Sequence, residues 1–334
     1  MNKNKKTIAA ITAVAHYVPE KILSNLELEK MVDTTDEWIK TRTGISERRI
    51  LEKGASSDMA AKAIDQLLKN RGIGPEEIEI IITATVTPDM LFPPTSTIIQ
   101  RKVGAKNAWG FDIEAACSGF LYSLIVGAQF IETGNYKKVI VVGSDKMSSI
   151  TDYTDRNSCI LFGDAAAAVL LEPSNDENIG ILDHIFYSDG TGEEALHMKG
   201  GGSLNPPTHE TVDKKWHYIY QDGKAVFKVA VMGMADVSEE ILKRNNLTGN
   251  DIDYFVPHQA NLRIIDAAAN RMGIDHSKVM INIDKYGNTT AATIPLCLSE
   301  WWLAGKLKRG NTVVLASFGA GYTWGSILLK WAID

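Results

Sequence analysis

The chain has 334 residues, 45% of them hydrophobic and 23% charged, which is the composition of a globular protein with one large composite core or two ordinary ones. A formal net charge of −6 argues against wholesale nucleic-acid binding. Three widely spaced cysteines, Cys117, Cys159 and Cys297, make no disulfide framework and fit a reducing compartment.

The basic start, Met1 to Lys6, is followed by a stretch too short for a signal peptide, interrupted by His16, Pro19 and Glu20. With no apolar run of roughly 20 residues to span a bilayer, the chain reads as cytoplasmic and not membrane-bound. Along the chain, short apolar runs at 78–83, 138–142 and 165–171 predict buried strands, and 57–70 and 118–133 predict helices. The alternation predicts an α/β fold.

The second half echoes the first. GPEEIEIII (74–82) resembles GNDIDYFV (249–256), each a turn, acidic residues and an apolar strand. Asn288 lies 171 residues after Cys117, and Gly305 lies 171 after Gly134. A constant offset predicts two duplicated α/β halves, 1–175 carrying the cysteine and 176–334 carrying a histidine and an asparagine, with the boundary near 173–179. Packed about a pseudo-twofold axis, they would set Cys117 and Asn288 at matching helix starts facing one cleft. His258, at the end of a repeated strand, would open onto it.

Cys117 sits in EAACSGFLYSL, among small residues just before a helix, where the macrodipole and free N–H groups favour thiolate. The local sequence fits either a nucleophile or a packed structural cysteine. Cys159 (SCILF) and Cys297 (PLCLS) read as packing residues. His258 (YFVPHQAN) fits a structural or a catalytic histidine, and Asn288 (YGNTTAA) taken alone is turn chemistry. His184, His197, His209 and His217 read as solvated, and no metal-ligand spacing stands out. The Gly-rich KGGGSLNPP (199–207) lacks phosphate-loop and dinucleotide patterns and reads as a surface loop.

Taken together, DTTDEWIKTRTGI (33–45), ACSGF around Cys117, PHQAN around His258, GNTTAA around Asn288 and FGAGYTWG (318–325) resemble the β-ketoacyl-[acyl carrier protein] synthase III family over nearly the whole chain. The resemblance implies a thiolase-like fold with an α-β-α-β-α core. It implies an acyl-Cys117 intermediate formed from a short acyl-CoA, an oxyanion hole from the amides of Cys117 and Ala320, and a decarboxylative condensation with malonyl-[acyl carrier protein] assisted by His258 and Asn288. The family commonly has Gly where this chain has Ala320. By the same resemblance Trp38, Arg42, Arg156 and Asn261 bind CoA, and Lys228 and Arg263 dock the acidic carrier protein. The resemblance also implies that Phe92 reaches the neighbouring subunit's acyl pocket in a homodimer, where a bulky ring would favour acetyl, and that no cofactor is needed.

Related chemistries differ at identifiable points. Thiolases need a second reactive cysteine, and hydroxymethylglutaryl-CoA synthases need an acidic base that Glu114 does not match in position. Starter-diverting synthases of secondary metabolism share Cys, His and Asn. A Cys–His–Asn thioester hydrolase would need no docking or CoA-stacking residues, and a non-catalytic carrier-binding protein would not need all three reactive residues.

Overall fold

Strands covered by helices on both faces must be apolar on both faces. Ile80–Ala84 and Val139–Asp145 are fully buried and meet that condition except at Thr83, Ser144 and Asp145. The computed structural model describes residues 7–334, so the basic stretch Met1–Lys6 lies outside the described residues.

The first sheet contains β1 (Ile8–Tyr17), β2 (Ile80–Ala84), β3 (Trp109–Ile113), β4 (Val139–Asp145) and β5 (Ala165–Ser174), in the order β1-β5-β4-β2-β3. The second contains β6 (Gly180–Ser188), β7 (Tyr254–Pro257), β8 (Thr312–Gly319) and β9 (Thr323–Lys330), in the order β6-β9-β8-β7. Reading β6, β9, β8 and β7 against β1, β5, β4 and β2 gives the same sequence of antiparallel, antiparallel and parallel pairings. The counterpart of β3 shrinks to one parallel bridge, Phe255 with Val279, beside a hydrogen bond that the Met280 amide donates to the Phe255 carbonyl at 2.9 Å. The duplication expected from the sequence is therefore visible as repeated topology.

Side-chain alternation builds five layers. Helix α1 (Ser56–Arg71) packs Met59, Ile64 and Leu67 on the outer face of the first sheet, against Ile81, Ile140 and Val142. Their neighbours Ile80, Ile82, Val139 and Val141 point the other way, onto α2 (Gly119–Glu132). Helices α3 (Gly223–Arg244) and α4 (Leu262–Met272) cover the far side of the second sheet, against Phe255, Val314 and Phe318. Its inner residues Val256, Val313 and Leu315 meet α5 (Thr293–Leu303). The paired central helices α2 and α5 are thus enclosed by both sheets, an α-β-α-β-α sandwich. Each such fully buried Val, Leu or Ile contributes about 1.5–3 kcal/mol. The five predicted elements all form, with ends within about three residues of those read from sequence.

The offset between halves needs correction. The turn Ala116–Ser118, the start of α2 at Gly119 and Val139 on β4 recur as Thr290–Ala292, Thr293 and Val313, each 174 residues later rather than 171. Gly134 and Gly305 follow the ends of their helices with left-handed φ of +78° and +68°, and they do lie 171 apart. Helix α5 is three residues shorter than α2, and nine residues rather than six separate its end from Val313, the position that matches Val139. The topological counterpart of Cys117 is therefore Ala291, and Asn288 stands three residues before that position.

Candidate active site

Both central helices begin with a tight turn, and in each turn one non-glycine residue is left-handed: Ala116 at φ +46° and Thr290 at φ +53°. Such a conformation costs of order 1 kcal/mol or more and persists only where packing over-determines it. Ser317 Oγ donates to the carbonyl of Cys117 at 2.8 Å, and Ser118 Oγ donates to that of Thr323 at 3.0 Å, tying the first turn to the second half.

The two turns exchange partners across the pseudo-twofold axis. Strand β4 ends at Asp145 against the second turn, and β8 ends at Gly319 against the first; these residues are also 174 apart. Asp145 Oδ2 accepts from the amide of Ala291 at 3.3 Å, while its Oδ1 accepts from Thr85 Oγ1, the amides of Val86 and Thr87, and Thr87 Oγ1. Gly319 offers no side chain. A Cβ there would lie 2.8 Å from the amide nitrogen of Cys117 and 3.0 Å from that of Ser118. In the second half a carboxylate occupies the place at the turn amide. In the first half no side chain occupies the same place, and Gly319 and Cys117 both line one cavity.

The candidate side chains converge. A cavity of about 1200 Å³ is lined by Cys117, His258 and Asn288 together, with Ala320, Glu114 and Phe318 beside them. Cys117 comes from the first half and the other two from the second. Their convergence holds although the offset argument for Asn288 does not. The Asn288 backbone is fixed by a parallel bridge to Phe162, and its Oδ1 accepts from the amide of Thr290 at 2.9 Å. That bond uses the acceptor end of the carboxamide and leaves Nδ2 to face the Cys117 thiol, with which the side chain is hydrogen-bonded. His258 is buried at the end of β7, with Nδ1 2.7 Å from Thr293 Oγ1.

Electrostatics here run opposite to the sequence expectation for the thiol. Burial, reinforced by the Asp145 carboxylate, pushes Cys117 up to about 12, and the bond from Asn288 pulls only partly the other way. The helix proper starts two residues later, at Gly119, so Cys117 sits in the preceding turn rather than at the first amides of α2. Burial lowers His258 to about 3 and keeps the ring neutral. Asp145 is raised to about 6 by burial against its many donors. In the ligand-free protein, alkylation of Cys117 by iodoacetamide is therefore expected to accelerate with pH beyond the ordinary thiol value near 9. A rate that levels off below that value would contradict this.

Of the other residues named from sequence, Trp38, Arg42, Asn261, Arg263 and Ala320 line the same cavity. Trp38 lies on the helix Asp36–Thr43, with the Arg156 guanidinium 5.1 Å and the Arg42 guanidinium 5.8 Å from its ring centroid. Arg156 also reaches Asp33 at 3.2 Å. Asn261 caps α4 by accepting from the amide of Arg263, and its Nδ2 donates to the carbonyl of Arg42 at 3.0 Å, joining the two walls of the entrance. Arg263 lies 4.7 Å from the Phe227 ring, whereas Lys228 is exposed on α3 outside the lining. Phe92 is 82% exposed, away from the cavity of its own chain.

Cys159 and Cys297 are buried as read from sequence. His197 corrects a reading: it lies on the strand Leu196–Met198, lines the cavity and bonds through Nδ1 to the Glu193 carbonyl at 2.7 Å. His184 is likewise on a strand, though exposed. Sequence reading missed Asp145, Ser317, Phe227 and Thr293. Only Asp145, the one charged residue of a fully buried strand, carried a local signal. Among the described residues no helix is long and apolar enough to cross a membrane.

The chain matches two family models. Residues 111–190 match the model of 3-oxoacyl-[acyl-carrier-protein (ACP)] synthase III, and residues 242–331 match the model of its C-terminal part. The β-ketoacyl-[acyl-carrier-protein] synthase III of Chlorobium luteolum is 60% identical over 326 residues, 97% of this chain and 99% of that one. The protein of that name from Porphyromonas gingivalis is 53% identical, covering 98% of each chain. Among solved structures, the 3-oxoacyl-[acyl-carrier-protein] synthase III of Aquifex aeolicus superposes with a TM-score of 0.90 at 41% identity, covering 97% of this chain and 100% of that one. A priming β-ketosynthase from a polyketide biosynthetic pathway gives 0.91 at 34%, covering 99% and 98%. The chain belongs to the 3-oxoacyl-[acyl-carrier-protein] synthase III family of condensing acyltransferases.

Proposed function

We propose that this protein condenses a short acyl-CoA, acetyl-CoA first among them, with malonyl-[acyl carrier protein] in the cytoplasm, through an acyl-Cys117 intermediate. The observation that carries the reading is the single cavity lined by a thiol from one half and an imidazole and a carboxamide from the other.

In the first half-reaction the Cys117 sulfur attacks the thioester carbonyl, and the thiol proton leaves with CoA. The oxyanion that forms takes the space Gly319 leaves open, facing the amides of Cys117 and Ala320. Sulfur suits this step because the acyl group must later be surrendered to carbon. In the second, malonyl thioester loses carbon dioxide, and negative charge grows on the thioester oxygen of the resulting enolate. Asn288 Nδ2 and His258 Nε2 donate to that oxygen and stabilise the transition state more than the ground state. The enolate carbon then attacks the acyl carbonyl, the thiolate of Cys117 departs and is reprotonated, and a β-ketoacyl carrier protein is released. No step calls for a cofactor.

The entrance supports CoA as donor. The adenine would slide between Trp38 and Arg156, replacing their present contact, while Arg42 and Asn261 border the pantetheine path. Lys228 and Arg263 offer positive charge to an acidic carrier protein, an attraction that weakens with salt. Two features support a homodimer: Leu91 and Phe92, 80% and 82% exposed, and the open edge strand β3 with Trp109 45% exposed among Phe111, Phe130 and Tyr136. In that dimer Phe92 closes the partner's acyl pocket, and the chain divides into halves at 175/176. Phe92→Thr is then expected to extend the usable starters to longer chains. An unchanged chain-length profile would remove the gate.

The test is a panel of acyl-CoA primers supplied with malonyl-carrier protein and resolved by product mass. Extended β-ketoacyl product, best with acetyl, supports the reading. Free acid without extension would mark a thioester hydrolase, and preference for an unusual primer would mark a starter-diverting synthase.

A further inference from the structure

Buried polar atoms are nearly always partnered, and His258 has one ring nitrogen paired and one bare. Nε2 is buried with no hydrogen-bond partner, while Nδ1 lies 2.7 Å from Thr293 Oγ1. The same hydroxyl lies 3.1 Å from the carbonyl of Thr290. A threonine hydroxyl has one proton, so it can serve one of these two acceptors fully.

Distances decide between them. O–H donors settle at about 2.7–2.8 Å from oxygen acceptors, whereas N–H donors settle at about 2.9–3.0 Å. A separation of 2.7 Å therefore suits donation from Thr293 Oγ1 to Nδ1, and 3.1 Å is long for donation to Thr290. Burial keeps the imidazole neutral, and a neutral ring that accepts at Nδ1 carries its proton on Nε2. Thr293 is itself buried on the first turn of α5, the helix whose preceding turn fixes Asn288.

We propose that Thr293 is a positioning residue whose hydroxyl donates to His258 Nδ1 and so holds the ring as the Nε2–H tautomer, aimed into the cavity. The inference rests on the condensing reading above, because that Nε2–H is the second donor to the enolate oxygen. One helix start then orients both donors: the Thr290 amide holds the Asn288 carboxamide, and the Thr293 hydroxyl holds the imidazole. The partner is an uncharged hydroxyl, so the ring is oriented without being drawn towards imidazolium, as a carboxylate partner would do.

Nitrogen-15 NMR of the labelled wild-type protein should show His258 protonated at Nε2. Thr293→Val keeps the shape and removes the hydroxyl, and should move the ring towards the Nδ1–H form. Thr293→Ser should retain the wild-type pattern. Malonyl decarboxylation should fall roughly ten- to a hundredfold in the valine variant and largely recover in the serine variant. Acyl-Cys117 formation should stay within about twofold of wild type in both, which also reports an intact fold, because only the second half-reaction uses the donor at Nε2. A wild-type ring protonated at Nδ1, or unchanged decarboxylation in the valine variant, would overturn the proposal. Should the wild type yield no extended product, the condensing reading fails instead, and the tautomer measurement still decides the role of Thr293.

Discussion

Cys117→Ser is expected to abolish acyl transfer from acyl-CoA, with condensation falling on the order of 10⁴-fold or more. The replacement is nearly isosteric, and the bond that anchors the turn goes to the backbone carbonyl of residue 117, so the fold should survive. What changes is nucleophilicity and leaving ability. A hydroxyl in this cavity has no base hydrogen-bonded to it. His258 is paired with Thr293, and Asp145 is occupied by the amide of Ala291 and its other donors. An alkoxide would also be a poor leaving group when the enolate attacks. Intact-protein mass after incubation with acetyl-CoA should show one added acetyl group on the wild type and none on the serine variant. Full activity in the serine variant would contradict the assignment of the nucleophile.

His258→Ala and Asn288→Ala are expected to separate the two half-reactions. Each removes one donor to the enolate oxygen, and loss of such a donor costs roughly 10²–10³ in rate. The effect should fall on malonyl decarboxylation, measured as carbon dioxide release. Acylation should persist in both variants, with a difference between them. Asn288 is hydrogen-bonded to the Cys117 thiol and favours its ionised form, so its removal raises a thiol already at about 12 and slows acylation modestly at neutral pH. The principal causes of that shift are burial, Asp145 and Asn288 rather than His258, so removal of His258 should leave acylation close to wild type. Equal losses in both half-reactions for either variant would contradict the division of labour.

Much of this architecture was legible because burial leaves periodic marks. Runs such as IIITA (80–84) and VIVVG (139–143) alternate their side chains between two apolar layers, the pattern of strands enclosed on both faces. The duplication was legible from landmarks but mis-set by three residues. A glycine at a helix end marks where the helix stops, and α5 stops early while its loop compensates. The counterpart of the nucleophile was therefore placed at Asn288 instead of Ala291. The candidate residues were legible as motifs, whereas their electrostatics were not. A cysteine near a helix start suggests a lowered pKa, yet the one-residue details that decide the sign are enclosure of the sulfur and a carboxylate, Asp145, contributed by a strand end distant in sequence. Thr293 and Ser317 were invisible for a similar reason. A hydroxyl's role depends on which atom lies at 2.7–2.8 Å, here His258 Nδ1 and the carbonyl of Cys117. Phe92 could be named but not placed, since its own chain gives it no contact with the cavity.

The central claim is that one pocket, shared by the two halves, stores an acyl group on sulfur and passes it to carbon. The most direct measurement isolates the protein after incubation with isotope-labelled acetyl-CoA, free of CoA, and then adds malonyl-carrier protein alone. The account predicts that the label leaves Cys117 and appears in β-ketoacyl carrier protein, with one carbon dioxide released per acyl group transferred. Label released as free acetate, or retained on the protein while carbon dioxide is evolved, would contradict it.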